Sequence, residues 1–281
     1  MVHRLFLVLA PALLFAQLQT PDWVSVESNI SYSKHPETVL DVYQSKRAPA
    51  PQTKRAGVLV IHGGGWGGGT KENVFERLCL PYLQKGLVVV NVEYRLSRAA
   101  LAPAAVEDAL LAADWFRANA AKYGVDKNKI IVTGDSAGGH LALMVGMTPK
   151  QAKLGPPAKV AAVINFYGIT DVQDQLEGQH MRQYAVTWLP ATLPDRQELA
   201  RRVSPITWVR KDLPPILTIH GDQDPTVPYA HGVDLTKALR EAGADAELIP
   251  VAQGAHGNFG PEKDAEIYGL IFNFLEKRKL L

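Results

Sequence analysis

Ser136 stands in Gly134-Asp135-Ser136-Ala137-Gly138-Gly139, between the apolar run Ile130-Ile131-Val132-Thr133 and a stretch with helical spacing. Gly-x-Ser-x-Gly in that context marks a sharp turn that strains the serine backbone and lifts its hydroxyl above the sheet. The glycines remove side chains that would collide where strand and helix nearly touch. The amides just after the serine open a helix, so they are unpaired donors at its positive end, suited to an oxyanion. A serine hydroxyl is a poor nucleophile until a histidine takes its proton and an acid orients that histidine. Two later segments offer such partners: His220-Gly221-Asp222-Gln223-Asp224-Pro225-Thr226-Val227-Pro228 and Gly254-Ala255-His256-Gly257-Asn258-Phe259. Asp224 and His256 fit the order serine, acid, histidine. Both follow strands and so share the sheet edge of Ser136. Asp222 stays open as the acid.

The other candidates read as structural. His62 braces a glycine loop, His140 packs behind the serine, His220 is a core or loop residue, and His180 and His231 belong at the surface. Asp135 points away from the reaction. The run His62-Gly63-Gly64-Gly65-Trp66, continued by Gly67 to Lys71, has three readings. A nucleotide P-loop fails, because Thr70 precedes Lys71 where Lys must come first. A dinucleotide fingerprint is satisfied by Gly63, Gly65 and Gly68, with Glu93 near the place of a ribose-binding acid. The third reading is a loop of bare amides facing a developing oxyanion. It alone also accounts for the serine turn downstream.

These residues need a scaffold, and the periodicity supplies one. Val24–Ser31 and Val39–Tyr43 alternate like half-buried strands. Short continuous apolar runs at 57–62, 86–93, 129–133, 160–166, 215–220 and 246–251 read as strands covered on both faces. Helical spacing occupies 104–123, 136–147, 229–242 and 261–277. Strand alternating with helix predicts an α/β fold, a mostly parallel doubly wound sheet with helices on both faces. Residues 171–212 break the rhythm and read as a small cap or lid inserted over the carboxyl ends of the strands. Trp66 and Trp188 are candidates for the walls of a substrate pocket.

Composition narrows the function classes. With 281 residues, 47% of them hydrophobic, the chain suits one large domain with an ample core. Thirty Lys and Arg against 28 Asp and Glu leave +2, with no basic stripe that would serve nucleic acid. A single cysteine, Cys79, excludes an intrachain disulfide and a cysteine-rich zinc site. Residues 1–16, a short basic start followed by an apolar stretch too short to span a bilayer, read as a cleaved signal peptide. The remaining 17–281 would then be exported, to the periplasm or outside the cell, with no stable membrane anchor.

Together these motifs resemble the α/β-hydrolase carboxylesterases. His62-Gly63-Gly64-Gly65-Trp66, Gly134 to Gly139 and Asn91-Val92-Glu93-Tyr94-Arg95-Leu96 are similar to the hormone-sensitive-lipase-like esterases. The acid segment, by contrast, looks like that of prolyl-oligopeptidase-type hydrolases. The bacterial feruloyl/acetyl-xylan esterase-like family unites all three motifs. The resemblance implies a triad of Ser136, Asp224 and His256 and oxyanion donors in the amides of Gly64, Gly65 and Ala137. It implies a small-molecule or carbohydrate-linked ester substrate with a short-chain acyl, acetyl or feruloyl group, and neither cofactor nor metal. A peptidase of prolyl-oligopeptidase type would use the same triad but usually carries a large sieving domain. A non-catalytic binding protein of the same fold is the other alternative.

Overall fold

Valine and isoleucine, stiff at χ1 and comfortable on a pleated surface, dominate the runs that become the central sheet. The computed structural model describes residues 20–47 and 54–281; the expected signal segment, 1–16, lies outside them. Eight strands form one sheet: β1 (Val24–Ser31), β2 (Val39–Ser45), β3 (Arg55–Ile61), β4 (Val88–Val92), β5 (Val125–Asp135), β6 (Ala162–Phe166), β7 (Ile216–Gly221) and β8 (Ala246–Val251). Their order is β1-β2-β4-β3-β5-β6-β7-β8. β1 and β2 are antiparallel, as are β2 and β4, and every other pairing is parallel.

Parallel pairing demands crossovers, and the helices supply them. They are α1 (Leu80–Gln84), α2 (Ala104–Asn119), α3 (Ala137–Met147), α4 (Gln183–Trp188), α5 (Arg196–Arg202), α6 (Ala230–Glu241) and α7 (Pro261–Lys277). Alternation along β3 shows the two layers. Leu59 and Ile61 join the core under α2, α3 and α6, while Val58 and Val60 join the core under α1 and α7. Each of these side chains is fully buried, which contributes roughly 1.5–3 kcal/mol apiece. Cys79 is buried in the second core.

The stretch 171–212 holds α4, α5 and three 3-10 turns but no strand. Its contacts run to two loops at the carboxyl edge of the sheet. Arg182 Nε donates to Thr226 O at 3.0 Å, and Gln175 Nε2 to the same oxygen at 3.3 Å. Tyr184 lies so close to Gly65 that a Cβ there would meet its Cβ at 2.8 Å.

One crossing point fixes the site. A Cβ on Gly138 would stand 2.1 Å from the carbonyl oxygen of Ile61, and one on Gly134 would stand 2.5 Å from the same atom. The ends of β3 and β5 and the start of α3 therefore meet with no space for any side chain. That contact brings the glycine loop beside Ser136.

Candidate active site

Ser136 occupies the tight turn between β5 and α3 with φ +54° and ψ −120°. A non-glycine residue held there stores roughly 1–3 kcal/mol of strain, tolerated only where surrounding structure over-determines it. Ser136 N donates to Phe166 O (2.9 Å) and Ser136 O accepts from His140 N (2.9 Å), which pin the turn from both sides.

His256 arrives on the loop after β8. Its Nε2 lies 2.9 Å from Ser136 Oγ and its Nδ1 lies 2.7 Å from Asp224 Oδ2. Asp224 sits on the loop after β7, where its other oxygen accepts from the amides of Thr226 (2.8 Å) and Val227 (2.9 Å). Burial of Asp224 favours its neutral form. The nearby His220 and His256 and the Val227 amide outweigh that and hold the carboxyl well below the usual carboxylate range. Its side chain is fully buried, whereas His256 keeps 21% exposure. The three side chains thus form one hydrogen-bonded relay. Asp222, the open alternative, is exposed and makes no hydrogen bond to His256 among the described residues.

The glycine loop is braced as a unit. Gly63 N donates to Asp135 Oδ1 (2.9 Å), whose other oxygen takes Arg77 Nη2 at 2.6 Å. Asp135 therefore does point away from the reaction, toward the loop's first amide. His62 Nδ1 lies 2.7 Å from Gly63 O. Glu93, which mimicked a ribose-binding acid, accepts from the Lys71 amide (2.7 Å) and lies 3.3 Å from His62 Nε2. Gly64 has φ +117°, and a Cβ there would stand 2.2 Å from Gly68 O, so only glycine fits. Among the described residues, the amides of Gly64, Gly65 and Ala137 donate to no protein acceptor.

The two tryptophans require a correction. Trp66 and Trp188 are fully buried, stacked on each other at 4.1 Å with planes 13° apart, so neither presents a wall to substrate. They tie the glycine loop to α4, and Trp66 Nε1 donates to His140 Nδ1 at 3.1 Å. Tyr184, half-buried, is the aromatic side chain packed beside Gly65. No motif marks it, since its position depends on where the inserted stretch folds back. His231, expected at the surface, is also buried. Its Nδ1 accepts from the Thr170 amide (3.0 Å) and its Nε2 faces Asp174 (3.1 Å). Burial lowers its affinity for a proton, against the pull of Asp174. Among the described residues no group of three or more His, Cys, Asp or Glu is placed to hold a metal ion.

His140 carries a pH consequence. Fully buried, it accepts from Trp66 at Nδ1 and lies 2.6 Å from Val203 O at Nε2, so it is bonded as the neutral Nε2–H tautomer. Burial lowers its pKa from 6.5 to about 4, with the Val203 carbonyl opposing. Above pH ~6.5 neither folded nor unfolded chain binds this proton. As pH falls from there toward 4, the unfolded chain takes up a proton that the fold excludes, and stability declines by about 3 kcal/mol in total. Urea unfolding between pH 7.5 and 4.5 should show this decline in the wild type and a flatter one in His140→Gln.

A mostly parallel sheet clad by helices, with a serine at the strand-to-helix turn and an acid and a histidine on later loops along its edge, defines an α/β-hydrolase. The chain belongs to the BD-FAE family of esterases, whose model matches residues 40–239. Esterase LipQ of Mycobacterium tuberculosis is 30% identical over 79% of this chain; the match spans 54% of LipQ, about half its length. A truncated carbohydrate esterase from gut microbiota superposes with TM-score 0.79 at 27% identity, covering 92% of this chain and 99% of that one. Thermogutta terrifontis esterase 2, solved phosphorylated by paraoxon, superposes with TM-score 0.75 at 28% identity, covering 92% of this chain and 96% of that one. No helix among the described residues is long and apolar enough to cross a membrane.

Proposed function

We propose that this protein hydrolyses carboxylic esters through an acyl-enzyme. The relay from Asp224 through His256 to Ser136 is the observation that carries the reading. Ser136 Oγ attacks the ester carbonyl carbon as its proton passes to His256 Nε2. The carbonyl oxygen becomes an oxyanion, for which the free amides of Gly64, Gly65 and Ala137 are the donors, each worth ~3 kcal/mol. Collapse breaks the bond to the alcohol oxygen, which leaves with the proton held on His256. Water then enters; His256 takes its proton, the hydroxide adds to the acyl carbon, and collapse returns the acid and Ser136.

The substrates in this reading carry short acyl, acetyl or feruloyl groups, on a small alcohol or a carbohydrate. Resemblance to a carbohydrate esterase supports the latter. Residues 171–212 serve as a cap over the site, and residues 1–16 as an export signal that is removed. The deciding measurement is a panel of acetyl, butyryl, long-chain and feruloyl esters with a proline-containing chromogenic amide beside them. Turnover of short esters with none of the amide is expected. Amide cleavage would favour a peptidase, and failure both to turn over esters and to react with a fluorophosphonate probe would leave only a binding role.

A further inference from the structure

The two hydrogen bonds of His256 lie in the plane of its ring and leave the ring's faces unheld. Its loop offers little of its own. Gln253, Gly257, Asn258 and Gly260 all take left-handed backbone, and the turn's internal amide bonds are Gly254 N to Val251 O and Gly257 N to Ala255 O. What covers the imidazole is Tyr167. The two ring centroids stand 4.7 Å apart with planes tilted 59°, and Phe259 of the same loop meets Tyr167 edge-on at 5.9 Å.

Tyr167 is itself unusual. It follows β6 with φ +40°, a conformation that costs a bulky residue energy and that glycine or asparagine would adopt more readily. Its amide donates to Ile219 O at 2.8 Å, and the preceding residue's carbonyl accepts from Ser136 N. A Cβ on Gly257 would strike its hydroxyl oxygen at 2.5 Å, so glycine is required there for the ring to reach the imidazole. One strained corner thus touches both ends of the proton transfer: its backbone fixes the nucleophile's amide, and its buried ring fixes the base.

We propose that Tyr167 is a positioning residue for His256, a proposal that rests on the esterase reading above. Its ring, with its centroid 4.7 Å from that of the imidazole, packs against the base and holds it in register with Ser136. The hydroxyl is not needed for that packing. In Tyr167→Leu, kcat on a short p-nitrophenyl ester should fall roughly 10-fold or more while KM stays within about twofold, since the ring acts through the base and not on substrate. Tyr167→Phe should recover most of that loss. Tyr167→Asn, whose backbone accepts the left-handed turn, should fall as Leu does and serves where Leu disturbs folding. In a His256→Ala background, Tyr167→Leu or Tyr167→Asn should cost nothing further, whereas a merely structural role would lower the residual rate by the same factor again. A folded Leu or Asn variant with wild-type kcat, or an equal loss without His256, overturns the proposal. If Ser136→Ala keeps full activity, it is the esterase reading that fails, whatever the Tyr167 variants do.

Discussion

Ser136→Ala should lose turnover of a short p-nitrophenyl ester by at least about 10⁴-fold, with substrate affinity largely kept. The size of the loss follows from what remains. His256 and Asp224 stay bonded to each other, and the amides of Gly64, Gly65 and Ala137, the proposed oxyanion donors, are untouched. Only the proposed nucleophilic oxygen is gone. The fold should hardly notice, because alanine inherits the same φ of +54° and removes an oxygen that is only partly buried. The matching measurement is covalent: fluorophosphonate should label the wild type and leave the variant unmodified. A rate near that of the wild type would place the nucleophile elsewhere.

The sheet and its two helix layers were legible because each layer writes its own periodicity. Continuous Val and Ile runs appear where both faces are covered, and mixed spacing appears where a helix shows one side to water. β8 and α7 fall on the expected boundaries, 246–251 and 261–277, although β8, at the sheet's edge, is buried only at Ala246 and Val251 and not covered on both faces as expected. Between β3 and β4 the pattern is harder to read. Val74, Phe75, Leu78, Cys79, Tyr82 and Leu83 are all buried at helical spacing. Yet the glycine run before them and Pro81 among them hide a π turn at Phe75–Cys79 that leads into α1.

The relay was legible for a different reason. A strand-to-helix serine and two loop residues on one sheet edge leave little freedom once the strands are in order, and 2.7 and 2.9 Å contacts follow. What escaped was whatever depends on how the inserted stretch folds back. Trp188 looks like a pocket wall in one dimension, but α4 turns it inward to stack on Trp66. His231 looks like a surface residue at a helix start until Thr170 and Asp174 close over it. Tyr167 carries no motif, because its meaning lies in a backbone angle and in an imidazole 89 residues away.

Asp224→Asn should lower kcat by roughly 10³- to 10⁴-fold while leaving the fold intact. Oδ1 of Asp224 accepts two amides, from Thr226 and Val227, and Oδ2 faces His256 Nδ1. An asparagine must keep its oxygen toward the two amides, since turning its NH₂ there would set donors against donors. The NH₂ then faces Nδ1 and makes it an acceptor, so the ring's proton moves to Nε2, the atom that has to receive one from Ser136. A base in that tautomer cannot act, although every distance is preserved. The charge itself is not in question at neutral pH. With its pKa held below the ordinary range, Asp224 adds stability that is present above pH ~4 and is lost only as pH falls through the depressed folded value. Activity that disappears at pH 5 to 6 therefore cannot be assigned to protonation of this acid. Glutamate at the same position should do less well than a matter of charge alone would predict, because its longer stem displaces the carboxylate from the Thr226 and Val227 amides. Measuring kcat for both variants beside their thermal unfolding separates the two causes. An Asn variant with near-normal kcat would mean that another acid orients His256.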